Sequence, residues 1–187
     1  MTEAWTLRLA TVNDIDAIDA LMKASTQDLF PLVYDEEQTR ASVEYISSVD
    51  RMLIEDGTYF VIEADEELVA CGGWSRRDKL FTGAGEGTTD ARLLDPAKEP
   101  ARVRAMFVRS DWTRRGLGTA ILEASEAAAS AEGFRSLALM STMPGLPLYE
   151  RSGFTVDEPT EIRMPNGVRI GAAAMSKVIP QSSPPSR

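Results

Sequence analysis

The sequence predicts a single α/β domain built on a mixed sheet with helices on both faces, and three segments predict it. "GTYFVIEADEELVACGGW" (57–74) reads as a β-hairpin, with apolar runs flanking the acidic turn Asp65-Glu66-Glu67. "RVRAMFV" (102–108), a glycine turn, an alanine-rich helix and "RSLALMS" (135–141) read as strand, helix, strand. "FTVDEPTEIRM" and "VRIGAAAMSKVI" close a terminal hairpin around Pro165-Asn166-Gly167.

The remaining elements follow in chain order. "WTLRLATV" (5–12) has the mixed character of a short strand. In "NDIDAIDALMKAS" Ile15, Ile18, Leu21 and Met22 recur at helical spacing, behind a capping box of Thr11 and Asp14. Residues 35–49 suit a second, polar-faced helix. Residues 76–100 hold "TGAGEGTT" and "DPAKEP", the composition of a long loop, and long loops inside compact domains are often functional. The helix after residue 116 places Leu117, Ile121, Ala124 and Ala128 toward the sheet and ends at Gly133. "LPLYERSGF" reads as a short helix ended by Gly153. The domain is expected to span residues 1–179, and the tail "PQSSPPSR" (180–187) to be disordered.

Composition sets limits on function. A chain of 187 residues buries about 70% of its unfolded surface, so it folds without disulfide or metal. Its net charge of −9 argues against general nucleic-acid binding, although Arg102, Arg104, Arg109, Arg114 and Arg115 form a local basic cluster. One cysteine, Cys71, rules out an intrachain disulfide and favours a reducing compartment. The N-terminus lacks the order of a signal peptide, and no apolar run reaches the roughly 18 residues of a membrane span. The expectation is a soluble, cytoplasmic protein with no membrane partner. Histidine is absent, which removes Ser-His-Asp and Cys-His nucleophile systems and most zinc sites. No metal site is expected, and acid–base chemistry falls to Tyr, Asp, Glu, Lys or water.

The stretch "WTRRGLGTAILEASEAAA" (112–129) starts a helix on glycine and positive charge rather than on Ser, Asp or Pro. The chain has no Gly-Lys-Ser/Thr, so it is not a P-loop, and Ile121 occupies the third-glycine position of the dinucleotide fingerprint. What remains is a helix N-terminus with unpaired amides and about half a positive charge. Gly116 and Gly118 let an anion approach without meeting a Cβ, and Arg114 and Arg115 add mobile charge. The residues support either a diphosphate cradle or a tight turn with solvated arginines.

The hexapeptide Thr113-Arg114-Arg115-Gly116-Leu117-Gly118 resembles [QR]-x-x-G-x-[GA], the signature of the GCN5-related N-acetyltransferase (GNAT) superfamily. "LYERSGF" resembles the second signature of that family, and the element order fits over residues 5–179. The resemblance implies a mixed, mostly antiparallel sheet of about seven strands with a central splay that holds acetyl-CoA. It implies amides around Arg114, Arg115, Gly116, Leu117, Gly118 and Thr119 on the pyrophosphate. Main chain of the segment Met106, Phe107 and Val108 would meet the pantetheine arm, and Tyr149 would stand beside the sulfur. The implied reaction is direct attack of an amine on the thioester, with Tyr149 as general acid to the thiolate.

Three positions depart from the family pattern. Thr113 replaces Gln or Arg, Thr142 stands near where many relatives carry Asn, and strand 102–108 has no carboxylate to act as base. Water, or one of Asp78, Glu86, Asp90, Asp95 and Glu99, takes that role. Strand alternation puts Arg102, Arg104 and Met106 on one face and Val103, Ala105 and Phe107 on the other. Arg104 would then favour a small amine bearing a carboxylate, or be solvated or paired with an acid. Trp74, with Arg76 and Arg77, would line a substrate slot or edge the sheet. The acidic total suits a cationic peptide or polyamine instead. A small-molecule amine acceptor is the leading expectation, with a non-catalytic acyl-CoA sensor or a module binding a basic partner as alternatives. A homodimer is left open.

Overall fold

The computed structural model describes residues 4–79 and 92–181. Seven strands form one sheet: β1 (Thr6–Leu9), β2 (Tyr59–Ala64), β3 (Glu67–Ser75), β4 (Ala101–Val108), β5 (Ser136–Thr142), β6 (Thr155–Arg163) and β7 (Arg169–Val178), in the order β1-β2-β3-β4-β5-β7-β6. Every pairing is antiparallel except β4 with β5. The described residues also form five α-helices: α1 (Ile15–Leu29), α2 (Glu36–Tyr45), α3 (Arg51–Glu55), α4 (Leu117–Ala131) and α5 (Leu146–Arg151). The mixed, mostly antiparallel sheet of the sequence reading is therefore present. No helix among the described residues is long and apolar enough to cross a membrane.

The β2–β3 hairpin turns on Asp65 and Glu66, both left-handed at φ 51° and 64°, as the type I′ geometry of a two-residue hairpin requires. Glu67 already belongs to β3. Helix α1 covers one face of the sheet, packing Ile15, Ile18, Leu21 and Met22 with Tyr59, Val61, Cys71 and Phe107. Ahead of it, the Thr11 amide donates to Asp14 at 2.7 Å, and Arg8 grips the same carboxylate with both nitrogens at 2.8 and 2.9 Å. The helix runs four residues past the expected end. Ser25 and Thr26 are buried there, satisfied by the Val108 carbonyl and the Ser47 hydroxyl at 2.7 Å each.

The expected helix over 35–49 stops at Tyr45, and a separate short helix, α3, follows from Arg51. Ser47 turns its amide and hydroxyl back to the Ser42 carbonyl, and the Val49 amide donates to Asp19 at 2.8 Å, so side chains displace the helical ladder. Asp50 then caps α3 through the Met52 amide.

Helix α4 covers the other face. Its buried stripe is Leu117, Gly118, Ile121, Leu122, Ser125 and Ala129, so from the second turn on it lies one residue beyond the Ala124 and Ala128 expected. Burying Leu117, Ile121 and Leu122 contributes about 1.5–3 kcal/mol each. Gly133 at φ 93° ends the helix, and Gly153 at φ 91° ends α5. Residues 182–187 of the expected tail and 80–91 of the expected loop lie outside the described residues.

Candidate active site

β4 and β5 pair only at Ala101 with Leu137 and Arg102 with Ala138. Beyond that point β4 and β5 pair with each other no further, and the sheet opens into a splay. In chain order, α4 follows β4 from Leu117, and the turn Met143–Gly145 carries the chain from β5 into α5.

Within the splay, β4 carries an extra residue. Gly73 pairs with Arg104 and Cys71 with Phe107, so three steps on β4 oppose two on β3. The bulge centres on Ala105, whose φ of 50° is left-handed. It breaks the alternation expected from sequence. Met106 and Val108 join the α4-side cluster, whereas Ala105 and Phe107 pack with the α1-side cluster. Met106 therefore lies opposite Arg104's partner side, correcting the single-face assignment of Arg102, Arg104 and Met106. Arg109 donates its amide to Val69 on β3, so by strand alternation Met106 and Val108 turn their main chain toward the splay. Ser25 takes the Val108 carbonyl, leaving the Met106 main chain and the Val108 amide on that edge.

Downstream, the chain makes a tight turn into α4. Arg114 at φ 62° and Gly116 at φ 84° are both left-handed and exposed. Such alternation gathers successive amides into an anion-binding concavity at the positive end of the helix. The Arg115 guanidinium lies 4.7 Å over the Trp112 ring, which presents charge beside that concavity. A Cβ on Gly116 would meet nothing within 4 Å, whereas one on Gly118 would come 2.7 Å from Leu148 Cδ2. The two glycines thus do different things: Gly116 keeps an open face, and Gly118 admits α5. Thr119 is exposed and Leu117 buried. The residues present fit a diphosphate.

α5 brings Tyr149 to the same region. Its ring is buried with Phe154, edge to face at 5.8 Å, in the cluster that Met106 also joins. Among the described residues no hydrogen bond acts on its hydroxyl. Burial pushes its phenol above the ordinary range, so it carries its proton at neutral pH.

The residues expected near the acceptor are engaged elsewhere. Arg104 is buried and meets the Asp50 carboxylate at 3.1 Å, with its other terminus 3.2 Å from the Lys79 carbonyl. Burial acts to raise the Asp50 carboxyl, but Arg104 and Lys79 outweigh it and hold it below its ordinary value. Sequence reasoning missed Asp50, because nothing marks one acid between two helices. Trp74 is buried against Phe134 at 5.8 Å, its indole nitrogen without a partner among the described residues. Arg76 pairs with Glu132 at 2.6 Å and Arg77 with Asp56 at 2.7 Å.

Of the candidate bases, Asp78 pairs with Arg92 and Arg102, and Asp95 with Lys98. A hydrogen bond from Arg92 holds Glu99 down to about 2, which makes it a poor proton acceptor. Glu86 and Asp90 lie outside the described residues. Burial pushes the Cys71 thiol up to about 12, so it is no nucleophile near neutrality.

These features agree with comparisons to known proteins. The acetyltransferase (GNAT) family model matches residues 18–154. No curated protein sequence matches the chain. A GCN5-related N-acetyltransferase from Rhodopseudomonas palustris superposes with a TM-score of 0.72 at 18% identity, covering 95% of this chain and 98% of that one. The PaiA N-acetyltransferase from Thermoplasma acidophilum, solved with coenzyme A, gives 0.67 at 14% identity, covering 94% and 99%. The N-acetylglutamate synthase from Neisseria gonorrhoeae, solved with coenzyme A and N-acetyl-glutamate, gives 0.59 at 19%, covering 95% of this chain and 36% of that one. At such identities the superpositions speak to fold alone, and the matched family model, over most of the chain, speaks to kinship. The splayed sheet, the glycine turn into α4 and the family match lead to one conclusion: the chain belongs to the acetyltransferase (GNAT) family, whose members transfer acetyl groups from acetyl-CoA.

Proposed function

We propose that this chain is an N-acetyltransferase that moves the acetyl group of acetyl-CoA to the primary amine of a small molecule by direct attack. Bound acetyl-CoA supplies an activated thioester. The amides of Arg114 to Thr119, with the Arg114 and Arg115 side chains, hold its diphosphate. The main chain of the segment Met106, Phe107 and Val108 holds its pantetheine arm in the place a neighbouring strand would take. The amine nitrogen bonds to the acetyl carbon as the carbon–sulfur bond breaks. Tyr149 donates its phenolic proton to the sulfur, and water removes the surplus proton from nitrogen.

One observation carries this reading. A buried tyrosine ring, its phenol kept protonated by burial, stands in the apolar cluster that also takes up Met106 of the bulged strand. The Asp50 carboxylate already faces Arg104, and the net charge of −9 draws cations, so cationic amines belong beside amino acids among the candidate acceptors.

The test is thiol release from acetyl-CoA against a panel of amino acids, polyamines and simple primary amines. Turnover with at least one amine, reduced about 10²- to 10⁴-fold in Tyr149→Phe, is expected. Binding of acetyl-CoA without turnover on any amine would favour a non-catalytic acyl-CoA sensor. Full activity in Tyr149→Phe would remove the acid assignment.

A further inference from the structure

Tyr59 on β2 is buried in the α1-side cluster, and its hydroxyl donates to the Ala105 carbonyl at 2.7 Å. Ala105 is the left-handed centre of the β4 bulge, at φ 50°. A non-glycine residue in that conformation is strained and persists only where its surroundings over-determine it. The bulge turns its carbonyl out of the ladder, and a buried carbonyl left without a donor is costly. Phenylalanine would fill the Tyr59 space equally well, so the hydroxyl is the chemically specific part of the contact.

Two further contacts lock the same place. The preceding residue, Arg104, meets Asp50 at 3.1 Å. On the facing strand, a Cβ at Gly72 would stand 2.1 Å from Met106 Sδ and 3.2 Å from Met106 Cα, so glycine lets β3 pass across the bulge. Burial holds the Tyr59 phenol well above its ordinary range, which keeps it a donor at every working pH.

We propose that Tyr59 is a positioning residue of the acetyl-donor arm: its hydroxyl pins the Ala105 carbonyl and thereby fixes the direction of the Met106 main chain toward the splay. The functional part of this inference rests on the proposed role of β4 in holding pantetheine. The pin itself is a property of the backbone.

Tyr59→Phe keeps the ring and removes the pin. Coenzyme A and 3′-phosphoadenosine 5′-diphosphate, its nucleotide half without pantetheine, are titrated by calorimetry into both proteins. Amide hydrogen exchange is followed across residues 104–108. The nucleotide half should bind both proteins alike, coenzyme A should bind the variant about tenfold more weakly, and exchange should rise at Met106 and Phe107 while α1 and α4 stay unchanged. With a wild type that binds coenzyme A, any other pattern overturns the assignment, including equal loss for both ligands. Failure of Tyr59→Phe to fold also overturns it, since the hydroxyl would then be a general stabiliser. A wild type that binds neither ligand defeats the donor reading instead, and local exchange alone then decides whether the pin stands.

Discussion

Replacing Gly116 by alanine separates the anion seat from a plain turn. Gly116 sits at φ 84°, where an L-residue costs about 1–2 kcal/mol, and its Cβ would meet no protein atom within 4 Å. The unliganded fold therefore loses only the backbone cost, a fall in Tm of roughly 2–8 °C for a chain of this size. Binding should suffer more. The new methyl occupies the open face along which a diphosphate approaches the amides, and each charge-assisted hydrogen bond lost is worth about 1.5–3 kcal/mol. One or two such bonds correspond to a loss of roughly ten-fold to 10⁴-fold or slightly more in coenzyme A affinity. Gly118→Ala is the matched control. Its methyl meets the flexible end of Leu148 at 2.7 Å, so its effect falls on α4–α5 packing. Calorimetric titration of coenzyme A and thermal melts on both variants make the comparison. A Gly116→Ala protein that melts early but binds coenzyme A like wild type would refute the seat and leave a turn.

Three other outcomes follow from the same geometry. Because burial raises the Tyr149 phenol, its proton should stay in place up to about pH 10. The kcat profile should then show no falling limb below that pH that Tyr149→Phe abolishes, and such a limb would contradict the acid assignment. The Arg8 hydrogen bond holds Asp14 at about 2, lower than its unfolded value, so this stabilisation is complete above about pH 4 and lost as pH falls toward 2. Wild type should lose Tm over that window, while Asp14→Asn starts lower at neutral pH and changes less. Asp50→Ala removes the carboxylate facing buried Arg104 and should cost about 3–5 kcal/mol in urea denaturation, whereas a loss under about 1 kcal/mol would make that pair incidental.

Much of the fold is legible in local patterns. The two hairpins show themselves because apolar runs end on turn formers, and the glycine turn stands out because arginine and glycine are poor ways to open a helix. The signature hexapeptide and the Tyr149 segment carry the resemblance from which the donor site is proposed. The β4 bulge is hidden, since the apolar run Ala105 to Val108 fixes no face and alanine at 105 carries no mark of a left-handed backbone. Its trace lies on the partner strand, where Gly72 and Gly73 follow each other within β3, a hint of close backbone approach. The shifted stripe of α4 escapes notice for a different reason: alanines and serines fill both flanks, so periodicity alone does not choose Ser125 and Ala129 over Ala124 and Ala128. Asp50 and Tyr59 act through long-range contacts with β4, 54 and 46 residues away in sequence, and no local pattern encodes such pairs.

The central claim is that the open edge of β4 and the turn into α4 together hold the acetyl donor. Amide hydrogen exchange of the full chain with and without acetyl-CoA tests it most directly. The account predicts that protection on binding concentrates at Met106 to Val108 and at Arg114 to Thr119, with the β1–β2 ladder unaffected. Protection confined to other elements, or none at saturating acetyl-CoA, would contradict it.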